Sequence, residues 1–431
     1  MNENITNILE SQNPWWFDKK FNTGINRLNY FSDLTKYINI KEILFLIGVR
    51  RTGKSTIMYQ IIEKLLKKAN KKSILFLNLD EPYFKTKFEN PNLITNILKE
   101  YLIENKNIKK LYLFVDEIQT YKYWSESLKI IYDTFENVKI IASGSSSNLI
   151  ESKLSLKLSG RYFYKRINPL NFKEYLSFRN KNNITTIEKK KEFLNYLKYG
   201  GFPRVVLEKD KEMKSELLKN YFQTIYLKDI VLPNNIRNNS EIFNLLYYLL
   251  SNIGMFFSYN SISKNLDLST DTIKEYINYA IESYFIYNIN KYDFSLKKQF
   301  LNSKKNYCID TGLINAISFK FSENKGRLLE NLVFIELQKE NKNIYYHKNK
   351  NECDFIIKKD LKIIKAVQVT QNLTNENKKR EIDGLVEALK TYGLKEGLIL
   401  TENEEDEFVV TDKDKINYKI IVKPIWKWLL N

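Results

Sequence analysis

Eight residues, GVRRTGKS from Gly48 to Ser55, follow the spacing G-x-x-x-x-G-K-[ST]. The chemistry served by such a run is the holding of a polyphosphate. Its glycines let the backbone curl until successive N–H groups point at phosphate oxygens, and the positive end of the following helix adds to the attraction. Here Gly48, Val49, Arg50, Arg51, Thr52 and Gly53 form the cradle, Lys54 reaches the β- and γ-phosphates, Ser55 ligates Mg²⁺ and Thr56 donates to the α-phosphate. A second run, LYLFVDEIQ (Leu111 to Gln119), ends an apolar stretch in Asp116 and Glu117. Asp116 is expected to hold the Mg²⁺ through water, and Glu117 to be the general base that orients or activates the attacking water. In VKIIASGSSS, Ser143 or Ser145 stands where a small polar group senses the γ-phosphate or holds that water, although such residues also make ordinary turns. Arg161 follows a Ser-Gly turn in LSGRYFYKR. It fits either a cation that neutralises transition-state charge, on its own nucleotide or a neighbouring subunit's, or a plain surface arginine.

These residues need a scaffold that brings strand ends together. EILFLI (Glu42–Ile47) reads as a buried strand, and the run from Ser55 to Lys68 has apolar residues at helical spacing. SILFLNL (Ser73–Leu79), followed by Asp80 and Glu81, is a further strand. The alternation from 42 to 145 predicts a parallel sheet flanked by helices, an α/β class. Upstream, Trp15 and Trp16 either cover an adenine or pack against the sheet; packing is favoured, because adjacent tryptophans cannot both face one slot.

The 431 residues, 43% of them hydrophobic, suffice for several cores. Mean hydropathy is −0.43, and no apolar run approaches the ~18 residues that span a bilayer. With no signal-like N-terminus, the expectation is a cytoplasmic protein without membrane contact. Two cysteines far apart and one histidine exclude a Cys/His zinc site. The net charge of +18 suits a nucleic-acid partner, and equally the solvated surface of a lysine-rich chain.

In order along nearly the whole chain, GVRRTGKST, LYLFVDEIQ, IIASGSSS, LSGRYFYKRINPLNFKEYL, YGGFPRVVL and YLKDIVLPNNIRN resemble the archaeal and bacterial AAA-type P-loop ATPases that carry a C-terminal domain of unknown function. The resemblance implies ATP and Mg²⁺, with Lys54, Ser55, Asp116 and Glu117 at the site and Arg161 as the family's LxGR arginine. It also implies four parts: an ATPase core (1–165), a helical lid (166–239), a winged-helix segment (240–325) and a nuclease-like α/β domain (326–431). Arg204 departs from the acidic residue often found after GG-aromatic-Pro and is assigned no role.

Ser258 to Tyr292 has the rhythm of a helix-turn-helix, with Ser269 as a cap and Ile273, Ile277, Ala280 and Ile281 as its inner face. The N-terminal half of its second helix offers Thr270, Asp271, Lys274 and Glu275, a nearly neutral set that favours a structural or protein-contacting module over sequence reading. From Gly326 an amphipathic helix, three strands, a helix (Glu376–Tyr392) and a strand (Gly397–Thr401) resemble the PD-(D/E)xK nuclease fold. Glu330 and Asp354 match its acidic positions. Gln368 stands where Glu is needed and Thr370 where Lys is needed, which makes a degenerate site; Lys365, Lys378 and Arg380 are the nearby cations. The expected function is Mg²⁺-dependent ATP hydrolysis with docking of DNA or a protein, by single subunits or by a homo-oligomer. Alternatives are a nucleotide-gated binding switch with little turnover and, less well supported, an ATP-regulated nuclease.

Overall fold

The computed structural model describes residues 2–147, 149, 155–158, 160–318, 325–340 and 343–430. Contacts divide them into two units: Met1–Asn168 with Glu282–Tyr284, and Pro169–Ile281 with Phe285–Asn431.

The first unit is built on β1 (Ile43–Ile47), β2 (Ile74–Asn78), β3 (Leu111–Asp116), β4 (Val138–Gly144) and β5 (Tyr162–Arg166). They form one sheet in the order β2-β3-β4-β1-β5, and every pairing is parallel. All residues of β1 and β4 are buried, as expected where helices cover both faces of a parallel sheet. The helix Lys54–Leu66 buries Ile57, Met58, Ile61 and Ile62 against it. The edge at β2 is closed without a further strand. The side-chain amide of Asn13 bonds both backbone groups of Phe76 (3.0 and 2.7 Å), and Gln12 does the same for Asn78 (3.3 and 2.8 Å). Amide side chains thereby satisfy an edge that would otherwise invite pairing with another chain. Both indoles beside them donate to the Ile74 carbonyl, Trp15 at 3.3 Å and Trp16 at 3.0 Å, and Trp16 stacks on Tyr101. The tryptophans are packing residues. At the other edge, β5 was not expected as a strand, because YFYKR mixes exposed aromatics with cations; Phe163 and Tyr164 remain exposed.

Among its described residues, the second unit holds two sheets. A small antiparallel one has the order β6 (Phe256–Phe257), β8 (Lys304–Cys308), β7 (Ile286–Asn290). It accompanies the helices Tyr259–Leu266 and Thr270–Glu282. Ser269 caps the second of these through the Thr272 amide (3.1 Å). Ile273, Ile277 and Ala280 are buried as expected, whereas Ile281 is only partly covered and Tyr276 joins the inner face in its place.

The larger sheet comprises β9 (Asn343–Lys348), β10 (Glu352–Lys359), β11 (Lys362–Val369), β12 (Glu396–Thr401), β13 (Asp406–Thr411) and β14 (Asn417–Pro424). Its order is β13-β14-β12-β11-β10-β9, antiparallel from β9 to β11 and parallel from β11 through β12 to β14. The helix Lys378–Tyr392 comes so close to β10 that a Cβ on Gly384 would lie 2.0 Å from the Glu352 carbonyl oxygen.

The helix Lys325–Glu340 differs from its expected amphipathic form. Leu329, Leu332, Val333, Phe334, Ile335 and Leu337 are buried, and so are Glu330 and Asn331, because the helix is packed on several sides. Its core joins Phe172 and Tyr196 from the segment expected to be a lid, Ile289 and Tyr307 from the small sheet, and Phe355 and Val367 from the large one. A single core therefore runs across the expected boundaries at 239/240 and 325/326.

Candidate functional site

β1 and β3 are separated by β4, so the loop after β1 and the acidic end of β3 flank the end of β4. In register, Leu46 lies beside Ser143, while Asn78 lies beside Asp116. The chemistry-bearing residues thus gather at the C-terminal ends of parallel strands, where ligands of such sheets bind.

The loop has the required conformation. Gly48 (φ +138°), Arg51 (φ +68°) and Gly53 (φ +95°) alternate it through positive φ, which turns backbone N–H groups to one side. Thr52 Oγ1 donates to the Val49 carbonyl (3.0 Å) and stiffens the curl. Arg27, 3% exposed, buttresses it from behind, donating to the carbonyls of Thr52 (3.1 Å) and Asn168 (2.9 Å). Lys54 Nζ lies back along the loop, donating to the carbonyls of Gly48 (2.8 Å) and Val49 (3.1 Å).

Asp116 is buried, and its carboxyl accepts from the hydroxyls of Ser143 and Ser55. Burial, then the neighbouring Glu117 charge, push its pKa above the usual carboxylate range, against those two hydroxyls and Lys54. A cation held between Ser55 and Asp116 would relieve both penalties, so the donor set fits Mg²⁺. Glu117 sits in a left-handed backbone conformation (φ +54°), an uncommon one for a non-glycine residue. Its carboxylate is held by Arg50 Nη1 (3.3 Å) and by Gln119 Nε2 (2.5 Å). Gln119 also donates to Ser145 Oγ (2.9 Å), and its own Oε1 is buried with no donor among the described residues. Such an orphan acceptor suits a water or a ligand hydroxyl.

Two expected residues have definite places. Ser143 is fully buried and gives its hydroxyl to Asp116, while its oxygen accepts weakly from the Glu117 amide (3.3 Å). It thus lies against the acidic pair. Arg161 is not brought to the cradle. Its carbonyl pairs with Ile43 at the start of β1, and its Nε donates to Asp133 (3.1 Å). A strand of five residues spans about 16 Å, so Arg161 lies at the far end of the sheet and the reading on its own nucleotide fails. On β5 it is Arg166 that lies at the near end, paired in register with Ile47 just before the loop. Gln119 and Arg27 also belong to the site, though neither is expected there from the sequence. Gln119 had a signal, two residues after Glu117; Arg27 had none, because its acceptors are carbonyls remote in sequence.

In the second unit a separate cluster forms around Lys305 of β8, whose side chain is 2% exposed. Its Nζ lies 2.9 Å from Glu330 Oε1, 2.8 Å from Glu352 Oε1 and 3.0 Å from Asp354 Oδ1. Tyr307 Oη donates to Glu330 (2.6 Å), and Asp354 Oδ2 accepts from the Val369 amide (3.0 Å). Gln368 does not face this cluster. Its Oε1 accepts from the Asp354 amide (3.2 Å) and its Nε2 donates to Glu381 (2.6 Å). Thr370 Oγ1 donates to the Asn372 carbonyl (3.2 Å). Of the nearby cations, Arg380 pairs with Glu381 and Lys378 rests over Phe408. The cation among the acids is one the sequence reading did not consider.

Comparison with known proteins places an AAA domain at residues 40–176, followed by two families described only as domains of unknown function, at 190–324 and 325–426. An uncharacterized protein of Methanocaldococcus jannaschii, MJ1544, is 36% identical over 413 residues, covering 90% of this chain and 88% of the relative. An uncharacterized protein of Haemophilus influenzae is 29% identical over 375 residues, covering 85% and 92%. Among solved structures, Aeropyrum pernix Orc1 in complex with DNA aligns over 68% of this chain and 92% of its own at 11% identity, with a TM-score of 0.35, a likeness too loose to carry an argument. No helix among the described residues is long and apolar enough to cross a membrane.

Proposed function

We propose that this chain, which belongs to the family of its Methanocaldococcus relative and carries an AAA domain, binds ATP in the 48–56 loop and hydrolyses it. The observation that supports this reading is the meeting of Lys54, Ser55, Asp116 and Glu117 at neighbouring strand ends, with Glu117 held by Arg50 and Gln119. The backbone N–H groups from Val49 to Lys54 receive the phosphates. Lys54 exchanges two neutral carbonyl acceptors for a charged phosphate oxygen, a stronger hydrogen bond. Mg²⁺, held by Ser55 and Asp116, supplies charge neutralisation of the phosphate oxygens when bound. Glu117 accepts a proton from water as the water oxygen bonds the γ-phosphorus. The bond to the bridging oxygen breaks, its electron pair leaves with ADP, and inorganic phosphate is the other product. Arg50 and Gln119 both bind this carboxylate, so turnover requires Glu117 to part from Arg50 and turn to the water.

That same pairing favours a second reading, a nucleotide-gated binding switch that turns over little. In both readings the second unit holds a partner. Its helix pair and small sheet are read as a winged helix (240–325) following a lid (166–239), and the large sheet as a nuclease-like domain (326–431). Lys274 pairs with Asp271 (2.9 Å), which leaves the tip of the second helix close to neutral and argues for protein contact or unspecific DNA docking over base reading. Arg161, remote from its own cradle, would act only on a neighbouring subunit of a homo-oligomer.

Nucleotide binding and phosphate release, measured with and without single- and double-stranded DNA over a salt series, test these readings. ATP binding that survives Lys54→Ala unchanged sinks both. Tight binding without turnover under every condition selects the switch, and DNA stimulation that falls steeply with salt identifies contact with the phosphate backbone.

A further inference from the structure

The nuclease-like domain proposed above would hold a divalent metal between Glu330 and Asp354, and the residues around those positions do not fit one. Glu330 comes from the helix Lys325–Glu340, Glu352 and Asp354 from β10, and their carboxylate oxygens converge within 3.0 Å on one nitrogen, Lys305 Nζ. We propose that Lys305 is a tethered cation standing in the place of the divalent metal, so that this domain is held together by an ammonium and takes no metal of its own.

Three observations carry the inference. An ammonium has three N–H donors, and three carboxylates lie within hydrogen-bonding distance of this one. None is left to hold a water for attack on a phosphodiester, so Lys305 is not the missing water-positioning lysine in a new place. The cluster is also largely covered: Lys305 and Asp354 are nearly inaccessible, only Glu352 keeps a third of its side chain exposed, and Phe256 lies 5.1 Å from the ammonium with Lys348 over the same ring. Finally, protein donors already serve two of the acids. Tyr307 donates to Glu330 Oε1, the oxygen that Lys305 also binds, and the Val369 amide donates to Asp354 Oδ2, so both carboxylates have protein partners besides the ammonium. Lys305 belongs to the small sheet, whereas its partners belong to the helix and strand that open the large sheet. The ion cluster therefore also pins one sheet to the other, the work that a structural metal does elsewhere.

The test is Mn²⁺ binding by electron paramagnetic resonance on the full chain without nucleotide. Four proteins are compared: wild type, Asp354→Asn, Lys305→Ala and the double variant. The expected result is equal Mn²⁺ uptake by wild type and Asp354→Asn, a gain of about one ion per chain in Lys305→Ala, and loss of that gain in the double variant. Mn²⁺ bound to the wild type in an Asp354-dependent manner overturns the proposal, and so does a folded Lys305→Ala that gains nothing. Because Lys305→Ala leaves three acids facing one another, Lys305→Met/Glu330→Gln, which withdraws one charge of each sign, is the second variant. It is expected to melt at least as high as Lys305→Ala; a lower melting point overturns the proposal. Mn²⁺-dependent nicking of plasmid by the wild type, lost in Asp354→Asn, overturns it as well.

Discussion

Replacing Gly48 by alanine tests how the phosphate loop is built. At φ +138° the position suits glycine, and strain of this kind costs about 1–3 kcal/mol in an L-residue. A second cost is steric. The new Cβ would lie 2.3 Å from the Ile167 carbonyl oxygen, where real contacts of this kind stay beyond 3.0 Å. Ile167 cannot yield freely, because its amide donates to the Ile47 carbonyl (2.7 Å), and losing that bond adds about 1 kcal/mol. Together the change costs roughly 2–4 kcal/mol, which for a domain of this size lowers the melting temperature by roughly 5–15 °C. Gly53→Ala is the control within the same loop. Its φ of +95° is also strained, but the nearest atom is Thr56 Cβ at 3.9 Å, an ordinary contact. Its loss should be about half as large. Calorimetry follows the melting of each variant, and titration with a fluorescent ATP analogue follows the site. Equal melting losses for Gly48→Ala and Gly53→Ala would refute the claim that Gly48 is required by the approach of Ile167.

Three further outcomes are expected. Gly384→Ala should lose about 1–3 kcal/mol in a denaturant titration, because its Cβ would meet the Glu352 carbonyl oxygen at 2.0 Å; Gly326→Ala, with nothing within 4 Å, should gain about 0.5 kcal/mol from helix propensity. His347, the single histidine, is buried, and burial lowers its pKa below 6.5 although Glu387 Oε1 at 3.1 Å pulls the other way. A base with a lowered folded pKa stabilises fully above its unfolded value and loses that contribution as pH falls below 6.5. The imidazole proton resonance should therefore titrate below 6.5, and a midpoint above it would contradict the burial argument.

The loop and its acidic partner strand were legible because local spacing specifies them. Glycines at fixed offsets, an apolar run and a terminal acid need no knowledge of the rest of the chain. Ser143 was found for its position at a strand end, but its orientation depends on the register of β3 against β4, which the sequence does not display. Arg161 misled because a Ser-Gly turn resembles a presentation loop; only the pairing of β5 with β1 reveals which end of the sheet it occupies. β5 itself was missed because its alternation mixes aromatics and cations at an exposed edge. Lys305 had a faint signal. It shares a strand face with Tyr307, and a lysine inside an otherwise buried strand needs a charged partner. The partners lie 25 to 49 residues away, so nothing local could name them.

The central claim, that Glu117 takes the proton from the attacking water, is tested most directly by phosphate release from Glu117→Gln at saturating ATP. The geometry predicts that the variant keeps ATP affinity near the wild-type value, since Glu117 does not form the cradle, while phosphate release falls by about 10²–10⁴-fold. A variant that releases phosphate at the wild-type rate would contradict the claim and return the acid at the end of β3 to a structural part.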